Sequence, residues 1–217
     1  GGMSYNDLDQ VSYTNVTEVY DPSTDSWSSK KPLPNNYVPN DIFGNMFIAG
    51  AAANGKIYVV VFAPGQNATY EYDPVADAWA VKSQVPIGDY NPYALTVLNN
   101  KLYVLTSSSF AEYDPANDLW TIKAPLTSFR SLATLVAVPS RNKLYAVGGV
   151  DSEGNVLQSV TSYDPSMNAW AAEVSVPIPL KSQAAGEIDG NLYLFGGVSN
   201  ADTSYPVPLN QVLEGNW

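Results

Sequence analysis

Short apolar stretches alternate with polar turn segments along the whole chain. Four apolar stretches cover residues 46–52, 93–98, 132–138 and 184–188. Each leads into a turn such as Asn54-Gly55 or Asp189-Gly190, and a second apolar and aromatic stretch such as Lys56–Phe62 follows. Gly and Asn tolerate the positive φ that a two-residue hairpin turn requires. The pattern therefore predicts four tight β-hairpins.

A second pattern predicts two further strands in each unit. The phrase Tyr-Asp-Pro, with a Trp six residues after the Asp, occurs at Tyr20 to Trp27, Tyr72 to Trp79, Tyr113 to Trp120 and Tyr163 to Trp170. The Asp accepts from the turn backbone and the Pro fixes φ, so the phrase ends a third strand and the Trp opens a fourth. The residue two before each Trp, an Asp or Asn, suits a left-handed turn position. Copies recur roughly every 40 to 50 residues, the period of a repeat array.

Four short antiparallel strands per unit are typical of a propeller blade. The glycine pairs Gly148-Gly149 and Gly196-Gly197, each followed by strand and turn signals, and the Tyr-Asp-Pro and Trp signals resemble the Kelch repeat over nearly the whole chain. The resemblance implies that the glycine pair ends the second strand, that the Tyr and Trp pack between blades, and that ligands meet loops at one rim of a central channel. Residues 60–63 and 104–107 lack the glycine pair, so altered loops are expected in those two blades.

The expected fold is one all-β domain, a Kelch-type propeller of about four four-stranded blades over residues 1–217. The repeats run roughly over 1–41, 42–92, 93–131 and 132–183, and 184–217 completes the first blade or begins another. The chain starts at Gly1-Gly2, where a second strand would finish, and ends near a third strand at 209–214. Two arrangements remain open. Residues 184–195 close a small ring by pairing with 17–20, or the chain is part of a larger ring whose open faces are covered by another copy or by further sequence.

Composition removes whole classes of chemistry. The chain has no Cys and no His, which excludes disulfides, thiolate metal sites, His-ligated metals and Ser-His-Asp catalysis. The net charge of −11 argues against nucleic acid. No apolar run approaches the roughly 20 residues of a membrane span, and no cofactor or metal is expected. The composition resembles bacterial secreted or surface Kelch proteins, so an extracellular or cell-surface location is expected, with a cytoplasmic one as the alternative.

The candidate binding surface consists of the loops between each fourth strand and the next first strand. Its predicted ligand-binding residues are Tyr37, Asp41, Tyr90, Phe129, Arg130, Lys181 and Gln183. Aromatic faces with a few polar partners suit a sugar or a short peptide. We therefore expect a non-catalytic module that binds a protein or a carbohydrate through this rim.

Two other functions are weighed against binding. The chain could be an assembly unit that oligomerises through open blade edges, because unpaired blade faces are apolar. It could also resemble the Kelch-type sugar mutarotases, with Glu187, Asp189, Arg130 and Lys181 as candidate catalytic parts. Asp189 belongs to its hairpin turn and Glu187 lies on a half-solvated strand, so no enzyme is expected.

Overall fold

A computed structural model describes residues 2–5, 11–34, 47–62, 67–87, 92–199 and 210–213, and nearly all of its regular structure is β-strand. A hairpin of β1 (Gly2–Tyr5) and β2 (Val11–Thr14) comes first. Blade 1 is the pair β3 (Thr17–Asp21) and β4 (Ser26–Lys30). Blade 2 is β5 (Phe47–Ala53), β6 (Lys56–Phe62), β7 (Ala68–Asp73) and β8 (Ala78–Lys82). Blade 3 is β9 (Pro92–Leu98), β10 (Lys101–Thr106), β11 (Phe110–Asp114) and β12 (Leu119–Ile122).

Blade 4 is β13 (Thr134–Val138), β14 (Lys143–Val147), β15 (Val160–Asp164) and β16 (Ala169–Glu173), with a single 3₁₀ turn at Pro139–Arg141. Blade 5 is β17 (Ala184–Ile188), β18 (Asn191–Phe195) and β19 (Asn210–Leu213). Within each sheet the strands follow chain order and pair antiparallel. The predicted hairpins and the predicted third and fourth strands are confirmed.

One predicted strand starts late. The apolar stretch at 132–138 becomes a strand only from Thr134 onward. Leu132 has a φ of 55°, a left-handed conformation that a strand cannot contain. The chain turns at this residue before it enters blade 4.

The apolar core lies between successive blades. Tyr58, Val60 and Phe62 of blade 2 pack on Leu102, Val104 and Tyr113 of blade 3. Blade 3 then packs on blade 4 through Tyr103 and Leu105 against Leu144 and Ala146, and blade 4 packs on blade 5 through Tyr145 and Val147 against Leu192 and Leu194. A single blade cannot bury its own two faces, so each blade depends on its neighbours.

The Tyr-Asp-Pro hairpins also fasten each blade to the one before it. In blade 2, Trp79 Nε1 donates to the carbonyl oxygen of Lys31 at 2.7 Å, and Asp77 Oδ1 accepts from the N–H of the same residue at 2.9 Å. The same pair of bonds recurs where Trp120 and Asp118 hold Ser83, and where Trp170 and Asn168 hold Ala124. We call this arrangement the blade clamp: an Asp or Asn and a Trp of one blade bonded to both backbone groups of one residue after the previous blade's fourth strand.

The clamp explains why the position two before each Trp is an Asp or Asn. This residue has a φ of 48° to 49° in every repeat, as predicted for a left-handed turn. Its side-chain oxygen also accepts from the hydroxyl of its own blade's Tyr, as Asp118 does from Tyr113 at 2.8 Å. One side chain thus holds its own turn and the neighbouring blade.

The described strands form a partial propeller rather than a ring closed by one chain. The first strands β5, β9, β13 and β17 pack in that order, and no packed pair of described strands joins β17 back to β5. Closure of four blades would require β3 beside β18. Instead β19 pairs with β18, from Leu192 with Leu213 to Phe195 with Asn210. The third strand predicted near residue 213 is confirmed, and the closed ring of four blades is wrong for this structure because β19 occupies the edge that β3 would need.

The loop after the second strand differs between blades as expected. In blade 4 the pair Gly148-Gly149 leads into a longer excursion, in which Val150 bridges to Val156. In blade 3 the chain reverses within three residues, because Thr106 N–H donates to Ser109 O at 2.9 Å. The altered loop predicted for blade 3 is therefore present; residues 63–66, where blade 2 makes its turn, lie outside the described residues.

Candidate functional site

The mouth of the central channel contains a cavity of about 490 Å³. It lies where first strands from four blades begin. Its walls are formed by Phe47, Ala94, Leu95, Leu132, Ala133, Thr134, Leu135, Ser182, Gln183 and Ala185. These described residues include none that is charged at neutral pH. The cavity therefore offers apolar area with a few hydroxyl and amide groups.

Two loops with the same conformation build one side of the mouth. Leu132, before blade 4, and Ser182, before blade 5, both have a φ of 55°. Ser182 N–H donates to Leu132 O at 3.1 Å, and Thr134 Oγ1 donates to Gln183 O at 2.6 Å. These bonds fix neighbouring loops to each other, so the rim is formed in advance of any ligand.

Gln183 supplies the buried polar group of the cavity wall. Its side-chain Nε2 donates to the Val147 carbonyl oxygen at 2.8 Å, which ties the loop to the end of β14. Its Oε1 has no hydrogen-bond partner within the described part of the chain. A buried amide oxygen without a donor costs free energy, so a small shift that brings it to a donor would be favourable.

Arg130 differs from the exposed ligand group that the sequence suggested. It is only 3% exposed, and Nη1 donates to the carbonyl oxygens of Ala146, Gly148 and Ser159, while Nη2 donates to Ser159 Oγ. Burial lowers the pKa of its guanidinium. The side chain is committed to the loops of blade 4 and does not line the cavity.

The expected match between Arg130 and Lys181 is also wrong in register. Ser131 bridges to Val150 and Lys181 bridges to Val198, so Lys181 takes the place of Ser131. The counterpart of Arg130 is Leu180, which is fully buried. The two positively charged groups are therefore not equivalent members of one site.

The remaining predicted site residues are placed only in part. Phe129 lies on the rim with 43% of its surface exposed, and Lys181 is half-buried beside it in sequence terms only. Tyr37, Asp41 and Tyr90 lie outside the described residues. The set of seven ligand-binding residues therefore stays a prediction, of which Gln183 lines the cavity.

The glycine pair of blade 4 is required by the loop that follows that blade. A Cβ on Gly148 would lie 2.2 Å from the carbonyl oxygen of Leu180, and one on Gly149 would lie 2.5 Å from that of Ser131. Both glycines have positive φ, and Gly149 N–H donates to Leu180 O at 2.7 Å. The pair thus lets the rim loop of blade 5 pack directly on the backbone of blade 4.

The charged side chains serve the fold rather than a reaction centre. Glu112 is 7% exposed and accepts from the Tyr103 hydroxyl at 2.7 Å and from Lys101 Nζ at 2.9 Å. Burial raises the pKa of Glu112, but these two bonds and Lys123 outweigh it and hold the pKa below its usual value. Glu71 has the same partners in blade 2, with Tyr58 and Lys56.

The candidate catalytic carboxylates do not meet at the mouth. Glu187 Oε1 accepts from Gly190 N–H, which holds the hairpin turn, and Asp189 has a φ of 53° in that turn. The turn is at the far end of β17 from the cavity. Among the described residues, no group of three or more His, Cys, Asp and Glu could hold a metal ion.

Comparisons with known proteins agree with this geometry. The sequence profile described as Kelch motif matches residues 133–175, which is most of blade 4. The chain is 28% identical to Alpha-scruin of Limulus polyphemus, over 98% of this chain and 19% of that protein. It is 42% identical to Kelch-like protein 33 of Homo sapiens, over 34% of this chain and 13% of that protein. It is 26% identical to Kelch repeat and BTB domain-containing protein 12 of Homo sapiens, over 94% of this chain and 28% of that protein.

The chain therefore spans between 13% and 28% of the length of these three relatives. The solved structure titled "Structure of YjhT" matches with a TM-score of 0.61 at 16% identity, over 85% of this chain and 72% of that one. This likeness concerns the fold alone. Within the described ranges, no helix has the length and apolar character needed to cross a membrane.

Proposed function

Because the chain belongs to the Kelch-repeat family, we propose that it is a non-catalytic module that binds a protein at the mouth of its channel. Kelch repeats generally mediate protein–protein interaction, and the observation that carries the proposal is the cavity of about 490 Å³. Ligand sites are typically concave, apolar and of about 300 to 1,000 Å³. A space of this size accepts one or two apolar side chains of a partner protein.

The lining favours a protein ligand over a sugar. Sugar binding relies on aromatic faces and on a dense set of polar groups, whereas most of the wall here is aliphatic. Leu132 is 39% exposed at the rim and offers apolar area to an incoming side chain. Ser182 and Thr134 beside it can bond to the partner's backbone.

The lining also favours binding over catalysis. General acid–base catalysis requires a titratable group within hydrogen-bond reach of the substrate. The described wall residues carry hydroxyls and one amide but no carboxylate, and Arg130 is bonded away from the cavity. The extracellular or cell-surface location stays a prediction.

The proposal is tested with peptides selected from a random displayed library on the wild-type chain. Leu132→Asp places a charge at the rim, and we expect it to weaken binding of a selected peptide about tenfold or more, since one buried apolar side chain is worth roughly 1.5–3 kcal/mol. The matched control is Val75→Asp, because Val75 is 96% exposed and lies in the turn between β7 and β8. Fluorescence anisotropy of the labelled peptide measures both.

Three results would contradict the proposal. Equal affinity for wild type and Leu132→Asp would mean that the cavity is not the site. Binding on a glycan array, with no selected peptide, would favour a carbohydrate. Loss of binding in Val75→Asp as well would place the site on the outer turns.

A further inference from the structure

The first blade is incomplete, and it leaves apolar side chains of blade 2 uncovered. Ile57 of β6 is 41% exposed, while its counterparts Leu102, Leu144 and Leu192 are at most 1% exposed. Those three are each covered by the second strand of the preceding blade. Blade 1 contains only a third and a fourth strand in the described residues, so no second strand of its own covers Ile57.

The last blade has the opposite gap. Phe195 of β18 is 50% exposed, while its counterparts Val60, Leu105 and Val147 are at most 1% exposed because the next blade covers them. A Cβ on Gly196 would meet no atom within 4 Å, although Gly148 at the same position meets the backbone of the next blade's loop. Blade 5 thus shows the uncovered face of a second strand.

The blade clamps show the same mismatch. Asp25 accepts from the Tyr20 hydroxyl at 2.7 Å, and Trp27 is 69% exposed; within the described residues the pair holds no residue of a preceding blade. Val174 lies six residues after Asn168, the same spacing that separates the clamped residues Ser83 from Asp77 and Ala124 from Asp118. Val174 is 70% exposed and no described clamp holds it.

We propose that two copies of this chain complete each other, with β17–β18 of one copy and β3–β4 of the second forming one four-stranded blade. The register follows from blade 4, where Leu144 pairs with Tyr163 and Tyr145 with Ser162. By the same register Leu192 of one copy lies opposite Tyr20 of the second, and Tyr193 opposite Val19. Phe195 then covers Ile57, and the clamp of Asp25 and Trp27 takes both backbone groups of Val174.

The exchange happens between copies because one chain keeps these two halves apart. Its first strands run from β5 to β17 with no packed pair that joins the ends among the described strands. Reciprocal exchange gives two identical interfaces and a ring of about eight blades, within the range known for propellers: three whole blades from each copy and two shared ones. The β3 strand of the second copy takes the edge that β19 holds in the single chain, and it brings a clamp that β19 lacks.

Disulfide trapping distinguishes exchange between copies from closure within one chain. The chain has no cysteine, so introduced thiols are its only ones. A Val19→Cys copy is mixed with a Tyr193→Cys copy under mild oxidation. Directly opposite strand residues are close enough for a disulfide in favourable pairs. We expect a covalent species of twice 23.4 kDa in the mixture but not in a mixture of Val19→Cys with the control Val75→Cys.

Light scattering on the clamp variants gives an independent test. Asp25→Ala is expected to weaken dimer formation about tenfold or more, while Asp25→Asn keeps it, since Asn168 does the same work in blade 4. Val174→Pro removes the clamped N–H and should weaken the dimer, while Val174→Ala should not. Both sites are exposed in the single chain, so the variants should fold.

Each remaining outcome overturns the proposal. If the chain that carries both cysteines forms its disulfide within a monomer, closure occurs in one copy. If no disulfide forms in any mixture, or if Asp25→Ala dimerises as tightly as Asp25→Asn, the shared blade does not form.

Discussion

The substitution Asp118→Ala tests whether blade clamps hold the propeller together. Asp118 Oδ1 accepts from Ser83 N–H of the preceding blade at 2.8 Å and from the Tyr113 hydroxyl at 2.8 Å. Alanine removes both bonds and places a residue with a β-carbon but no polar group at a φ of 49°. The adjacent blades then keep only the Trp120 half of this clamp.

The expected loss is about 3–5 kcal/mol. A hydrogen bond to a charged group contributes about 1.5–3 kcal/mol, and the buried Tyr113 hydroxyl that loses its partner adds about 1–3 kcal/mol. Alanine also tolerates the left-handed region less well than Asp or Asn, by roughly 1 kcal/mol. The terms overlap because they share one side chain, so their simple total is an upper bound. Even the lower value is a large part of the 5–15 kcal/mol that typically stabilises a domain.

Urea unfolding followed by tryptophan fluorescence measures the loss. The matched control is Asp118→Asn, because Asn168 forms the same two bonds in blade 4 at 2.7 and 3.0 Å. We expect Asp118→Asn to lose less than half as much as Asp118→Ala. Equal midpoints for the two variants, with equal slopes, would refute the reasoning, since they would mean that the side-chain acceptor contributes nothing.

Two further predictions concern the glycine pair and acid stability. Gly148→Ala should destabilise the chain by about 3 kcal/mol or more, because its Cβ would meet the Leu180 carbonyl oxygen at 2.2 Å, whereas Gly196→Ala at a nearly equal φ should cost only about 1 kcal/mol in dilute monomer; equal midpoints in thermal melts would contradict this. Burial raises the pKa of Asp118, but bonds from Ser83 N–H and the Tyr113 hydroxyl, with nearby Lys82, hold the pKa below its ordinary value. A lowered pKa gives stability that is present above the unfolded-state value near 4 and is lost as pH falls through the folded value, so unfolding should become easier below about pH 4 and less steeply in Asp118→Asn; parallel pH curves for the two proteins would argue against it.

The strands could be predicted because their signals are local. The hairpin turns have positive-φ residues such as Asn54 and Gly55, and the Tyr-Asp-Pro phrase joins β7 to β8 as expected. The predicted stretch at 184–188 coincides with β17. These features depend on a few neighbouring residues, so a single sequence contains enough information for them.

The site could not be predicted at the same level, because it depends on which loops meet. Arg130 looks like an exposed rim residue in the sequence, yet it is buried by carbonyl oxygens from residues 16 to 29 positions away. The register of Lys181 with Ser131 depends on the left-handed residues Leu132 and Ser182, and neither is a residue type that signals such a turn. The clamp has a sequence signal in the Asp or Asn before each Trp, but its second role appears only when two blades are side by side.

Hydrogen exchange with mass spectrometry, on the chain with and without a selected peptide, tests the binding proposal most directly. The account predicts slower exchange in segments 132–135 and 182–185, which line the cavity, and unchanged exchange in the outer strands β8, β12 and β16. Protection confined to an outer strand, or none at the channel mouth, would contradict it.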